Sequence, residues 1–125
     1  MKFVLIDSNV WVDHLRDPNP QVLALARDDR ILGHPLICAE LAVGSLKNRE
    51  AALKRLDRMI MIRQVALPQV RILIENEELF SKGIGVIDAT LLACCLVHGS
   101  SFLWTRDRRL NTIAERFGIA YQPLH

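Results

Sequence analysis

MKFVLIDSNVWVDHLR, residues 1–16, decides how the rest of the chain is read. Residues 2–6 are an apolar run that predicts a buried strand, and Trp11 and Leu15 in the segment that follows have the i, i+4 spacing of a helix. The handover falls on Asp7, in the tetrad IDSN. A carboxylate at that point is either a cap on the new helix or one arm of a metal site.

Strand and helix signals alternate along the remaining sequence. After the break DPNP, Pro20 suits the first turn of a helix through QVLALARDD. RILGHP predicts a short second strand stopped by Gly33 and Pro35, and LICAELAVGSL a short apolar helix containing Glu40. NREAALKRLDRMI sorts Leu53, Leu56 and Ile60 to one helix face and Lys47, Glu50, Lys54 and Arg58 to another. A further helix, opened by Pro68, is expected to run through QVRILIENEELFSK and end at Gly83 and Gly85. VIDATLLACCLVH is apolar almost all round, which predicts a central helix closed by Gly99. SFLWT reads as a strand, RRLNTIAERF as a helix closed by Gly118, and IAY as a last short strand. Strands alternating with helices imply an α/β fold with a central parallel sheet flanked by helices. No linker, repeat or low-complexity tract divides it, so residues 1–125 are expected to form one domain.

Composition narrows the function classes. Half of the 125 residues are hydrophobic, and 16 Lys and Arg against 14 Asp and Glu leave a net charge of +2, too small to announce a nucleic-acid binder by itself. The three cysteines, Cys38, Cys94 and Cys95, have no zinc spacing and read as reduced core residues. The start of the chain lacks a secretory pattern, and the longest uncharged apolar run, ATLLACCLV, is less than half of the about 20 residues a membrane helix needs. A cytoplasmic protein without a membrane segment is expected.

Four acids carry the chemistry. In an open α/β sheet the ligand crevice lies outside the carboxyl ends of the strands; Asp7 and Asp107 both fall just after a strand. Asp88 begins the apolar helix, and Glu40 lies in the short helix after the second strand. Glu40 and Asp88 are embedded in apolar sequence with no Lys or Arg within three residues, and an unpartnered buried carboxylate is costly. A divalent cation shared by all four would compensate them. Taken singly, Asp7 or Ser8 also suits the N-cap of the first helix and Asp88 that of the apolar helix, Glu40 a half-exposed helix position, and Asp107 surface charge among arginines.

VLIDSNVWVD, LICAELAVG, GIGVIDATLLA and LWTRD, in this order and spacing, resemble the motifs of the PIN-domain ribonucleases, and within them the VapC-like toxins of bacterial toxin–antitoxin pairs. The resemblance implies a PIN-like α/β/α fold and an acidic pocket of Asp7, Glu40, Asp88 and Asp107, supported by Asn9 and Thr105. It further implies an endoribonuclease that uses Mg²⁺ or Mn²⁺, acts on RNA, forms a homodimer and pairs with a cognate antitoxin whose tail covers the pocket. The sequence departs from many relatives in TRDRRL, where Arg109 and Leu110 stand in place of an acid and an aromatic.

For substrate grip, Arg106, Arg108 and Arg109 flank Asp107 and are candidates to bind RNA. Residues 47–71 carry seven bases against Glu50 and Asp57, a cluster of the kind that grips phosphate backbones. Three alternatives remain open at this point. One is a non-catalytic module that docks a basic partner on the acids. Another is a phospho-receiver domain centred on Asp57. The third is a metal-free ribonuclease using a pair drawn from His14, His34, His98 and His125.

Overall fold

The computed structural model describes residues 2–123. The strand read at the start is β1 (Phe3–Ile6), with Val4, Leu5 and Ile6 wholly buried. It hands over directly to α1 (Ser8–Arg16). After α2 (Pro20–Arg27), β2 (Ile31–Leu32), α3 (Pro35–Val43), α4 (Arg49–Asp57) and α5 (Leu67–Asn76), the long helix α6 (Val86–His98) leads into β3 (Ser101–Trp104) and α7 (Arg108–Arg116). The three strands form a parallel sheet in the order β2-β1-β3, with Val4 opposite Ile31 and Phe102, and Leu5 opposite Leu32 and Leu103. The fold is therefore α/β with β1 central.

Position in the sheet follows from composition. β1 is apolar throughout because a central parallel strand is covered on both faces. α6 buries Ala89 through Cys95 against β3 and α5, as its apolar sequence demands. Cys38, Cys94 and Cys95 are free and buried, and burial pushes the Cys95 thiol up to about 12, so it remains protonated and inert.

Three expected elements differ in extent. The helix expected over NREAALKRLDRMI ends at Asp57, with Arg58 as C-cap, so Ile60 lies beyond it and is exposed rather than on its apolar face. The helix expected to run to Gly83 ends at Asn76, with Glu77 as C-cap. Glu78 takes a left-handed conformation (φ 52°), and the Leu79 N–H donates to Ile74 O at 2.9 Å, the bonding of a Schellman turn. The burial of Leu79, 3% exposed, holds the turn in place of a glycine. The strand expected at IAY is a single parallel bridge between Ala120 and Leu103. A matching bridge joins Gly33 and Met61. Gly118 closes α7 as expected, at φ 72°.

Candidate active site at the carboxyl ends of the strands

Asp7 is 5% exposed and follows the last residue of β1. Its N–H donates to Trp104 O at 2.9 Å, continuing the ladder to β3 and fixing the residue beside the end of that strand. It occupies the N-cap position of α1, but its side chain does more than cap. Oδ1 accepts the Ser8 N–H at 2.8 Å, whereas a capping oxygen ordinarily takes the second or third N–H of the helix. Oδ2 accepts the Thr105 hydroxyl at 2.8 Å and the Asn9 amide at 3.4 Å. The Asn9 amide also reaches Thr105 Oγ1 at 3.2 Å, and Asn9 Oδ1 accepts the Arg106 N–H at 3.0 Å. Thr105 Oγ1 in turn accepts the Asp107 N–H at 3.1 Å. Asn9 and Thr105 thus lock the strand ends carrying Asp7 and Asp107 into one hydrogen-bonded unit.

Asp107 is a full N-cap of α7: Oδ1 accepts the N–H groups of Arg109 at 2.9 Å and Leu110 at 3.1 Å. Its other oxygen receives no hydrogen bond from a described residue. Asp88 stands on the third residue of α6, whose N-cap is Gly85, and its Oδ2 reaches back to the Gly85 N–H at 3.1 Å. Glu40, on the exposed side of α3, accepts the Ser8 hydroxyl at Oε1, 3.2 Å away.

The acids share one electrostatic field. The Asp88 carboxyl is held above its usual range first by desolvation, then by the charges of Asp7 and Asp107, against the opposing pull of the Gly85 N–H. Glu40 is also held high, first by partial desolvation and then by Asp7 and Asp88, against the stabilising Ser8 hydroxyl. Asp7 raises both. Among the described residues none of the four acids is ion-paired, and no three His, Cys, Asp or Glu side chains stand close enough to form a ready cage for a metal. Asp7 is felt by both Glu40 and Asp88, and Asp107 by Asp88, so the carboxylates repel one another. The donor set fits a hard cation of the Mg²⁺ type, which takes oxygen ligands, keeps several waters and needs only one or two carboxylates from the protein.

The candidate arginines fare differently. Arg106 is tied to Asp13 of α1 by a 2.8 Å ion pair. Arg108 and Arg109 are both exposed, the Arg109 side chain lying across Gly83. In the basic segment, Lys54 pairs with Glu50 and the Arg49 guanidinium donates to Ala42 O, so part of that charge holds α4 in place. Ser8 and Gly85 are readable in the sequence only as a helix cap and a helix stop, and their contacts to Glu40 and Asp88, like the Asp13 pair with Arg106, carry no sequence signal.

Two of the histidines serve structure. His34 is the N-cap of α3, its Nδ1 accepting the Leu36 N–H at 3.0 Å, and His14 Nδ1 accepts the Asn19 N–H at 2.9 Å. Burial holds both below their ordinary range. His98 ends α6, and His125 lies outside the described residues. Asp57 closes α4 and does not follow a strand, so the receiver arrangement is not formed. A cavity of about 390 Å³, lined by Trp11, Leu23, Leu56 and Met59 among others, contains none of the four acids.

A parallel three-stranded sheet with acids gathered at its carboxyl ends defines a class of α/β proteins, and comparison with known proteins places the chain within that class. Residues 4–116 match the PIN domain family, and the chain belongs to it. It is similar to the proteins named Ribonuclease VapC32 of Mycobacterium tuberculosis strains CDC 1551 / Oshkosh and ATCC 25618 / H37Rv. Each is 36% identical over 117 residues, covering 94% of this chain and 94% of the relative. Its fold resembles that of a chain in the structure of FitAB bound to IR36 DNA fragment, with TM-score 0.63, 18% identity, and 98% of this chain and 99% of that one covered. It also resembles PAE2754 from Pyrobaculum aerophilum, with TM-score 0.53, 17% identity, and coverage of 94% and 96%.

Proposed function

We propose that this chain is a divalent-metal-dependent endoribonuclease that hydrolyses RNA phosphodiester bonds as the toxin of a toxin–antitoxin pair. The observation that carries the reading is the shared field of Asp7, Glu40, Asp88 and Asp107, four carboxylates with no basic partner among the described residues. The similarity to proteins named Ribonuclease VapC32 supports the choice of RNA.

Asp7 and Asp88 would hold the cation, with Glu40 and Asp107 completing its surroundings. When bound, Mg²⁺ or Mn²⁺ supplies charge neutralisation at the phosphate and acidifies a water. The chain's own residues do the rest. Asn9 and Thr105 fix Asp7 Oδ2, so that the carboxylate does not reorient as charge builds up during the reaction. Water attacks phosphorus and the bond to the leaving oxygen breaks. Glu40 takes up the water's proton; its carboxyl, held high by desolvation and its acidic neighbours, is suited to that task. Arg106, Arg108 and Arg109 lie next to Asp107 and would draw the RNA backbone toward the acids.

In this reading residues 1–125 act as a single cytoplasmic unit, paired as a homodimer and inhibited by an antitoxin that lays a basic side chain on the acids. Among the described residues no helix is long and apolar enough to cross a membrane, which agrees with it. The deciding experiment is RNA cleavage under Mn²⁺ titration, on transfer, ribosomal and messenger RNA, with the Asp7→Asn variant alongside. Metal-dependent cleavage by the parent protein and none by the variant is expected. Full activity in excess EDTA, or in the variant, would remove the reading.

One observation favours a second reading, a non-catalytic acidic module that docks a basic partner: the acids form no ready metal cage. Such a module would turn over no RNA at any Mn²⁺ concentration.

A further inference from the structure

Arg109 occupies a seat that the backbone leaves open for it. A methyl group on Gly83 would stand 2.6 Å from Arg109 Cδ and 2.6 Å from Nη1, so the side chain lies directly on the glycine. Gly83 is left-handed (φ 81°), which independently disfavours any other residue there. The two ends of this contact belong to different acids. The Arg109 N–H is held by Asp107 Oδ1, and Gly83 lies two residues before Gly85, whose N–H holds Asp88 Oδ2. The side chain therefore spans from the start of α7 to the loop that delivers Asp88.

Its charge is not used within the protein. Among the described residues the Arg109 guanidinium forms no ion pair or hydrogen bond, whereas the Arg106 guanidinium is bound to Asp13. Nor does Arg109 rank among the influences on Asp88, which remains held high by its acidic neighbours. A cation in the first turn of α7 also opposes the helix dipole, so helix stability does not account for it. A planar fork of free donors, lying across Gly83 close to Asp107, matches a phosphate that must be held against the repulsion of the carboxylates.

We propose that Arg109, positioned by Gly83, binds a backbone phosphate of the RNA next to the bond that is cut. The inference rests on the nuclease reading above. Arg109 positions substrate and takes no part in proton transfer.

The test is equilibrium binding of a labelled single-stranded oligoribonucleotide in EDTA, measured across a range of salt concentrations. One phosphate contact on a single strand contributes about 0.7 to the slope of log K against log salt. Arg109→Gln is expected to make the slope shallower by about that amount, and Arg109→Lys to keep the slope with weaker binding. Arg116→Gln, at the far end of the same helix, should keep the wild-type slope. Gly83→Ala should weaken binding as Arg109→Gln does, with no further loss in the double variant; if Gly83→Ala does not fold, the Arg109→Gln slope decides alone. An unchanged slope in Arg109→Gln, or an equal change in Arg116→Gln, overturns the proposal. If wild type still cleaves RNA with Mn²⁺, only the role of Arg109 falls. If wild type neither binds nor cleaves RNA, both readings fall together.

Discussion

The Thr105 hydroxyl donates to Asp7 Oδ2 at 2.8 Å, joining side chains 98 positions apart at the ends of neighbouring strands. Thr105 Oγ1 also accepts the Asp107 N–H, so one hydroxyl serves two of the acids. Thr105→Val keeps the shape and removes both of these bonds and the one accepted from the Asn9 amide. A buried hydrogen bond to a charged group contributes about 1.5–3 kcal/mol, and a loss of that order is expected in urea unfolding. RNA cleavage should fall more steeply than stability, and Thr105→Ser should restore both. Undiminished cleavage in Thr105→Val would deny the hydroxyl a part in holding Asp7.

Removing one of the repelling charges should stabilise the protein when metal is withheld. The fold holds the Asp88 carboxyl above its ordinary range, by desolvation and by the charges of Asp7 and Asp107, so its charged form is less favourable there than in the unfolded chain. Asp88→Asn in EDTA at neutral pH is expected to raise Tm, while abolishing RNA cleavage. Added Mn²⁺ should raise the wild-type Tm, since a ligand that binds only the folded state stabilises it, and raise that of the variant less. Equal Mn²⁺ shifts in the two proteins would exclude Asp88 as a ligand.

His34 supplies an acid-sensitive cap. Its neutral Nδ1 accepts the Leu36 N–H, and protonation turns that acceptor into a donor. Burial holds the folded-state pKa below the unfolded value of about 6.5. The unfolded chain therefore binds the proton first. The contribution of His34 is complete above about pH 6.5 and is lost as the pH falls from there toward the lowered folded value. His34→Asn retains a capping side chain without a titrating group. Its Tm should fall less between pH 7 and pH 5 than that of wild type, whatever its absolute value. Parallel pH profiles would refute the assignment.

The turn after α5 offers a stabilising change. Glu78 holds a left-handed conformation that costs a residue with a Cβ about 1–2 kcal/mol. Glu78→Gly is expected to raise the urea midpoint with an unchanged m-value, by up to about 1 kcal/mol once the greater freedom of unfolded glycine is counted. Leu79→Ala should act oppositely, at a cost of about 2–5 kcal/mol for an emptied core position.

The parts legible in the sequence are those set by local pattern. The apolar run ending at Asp7, the all-round apolar α6 and the strand ending at Trp104 each announce themselves within a dozen residues. What the sequence could not display is pairing at a distance. Asn9 with Thr105, Ser8 with Glu40 and Asp13 with Arg106 depend on which strands lie side by side. Capping was read correctly in kind and wrongly in place: Asp88 suggested an N-cap and is the third helical residue, while Asp107, readable as loose surface charge, caps α7 with two bonds. The end of α5 was missed because a buried leucine there does what a glycine usually does.

The sheet is narrow, and both of its flanks are already engaged. Beyond the two-residue β2 lies the bridge from Gly33 to Met61, and beyond β3 the bridge from Leu103 to Ala120. An incoming polypeptide thus finds hardly any vacant main-chain donors or acceptors on which to lay itself as an added strand. Helix surfaces and side chains therefore make up most of what the described residues present for recognition, so altering a handful of exposed residues can change what is recognised while the sheet stays intact.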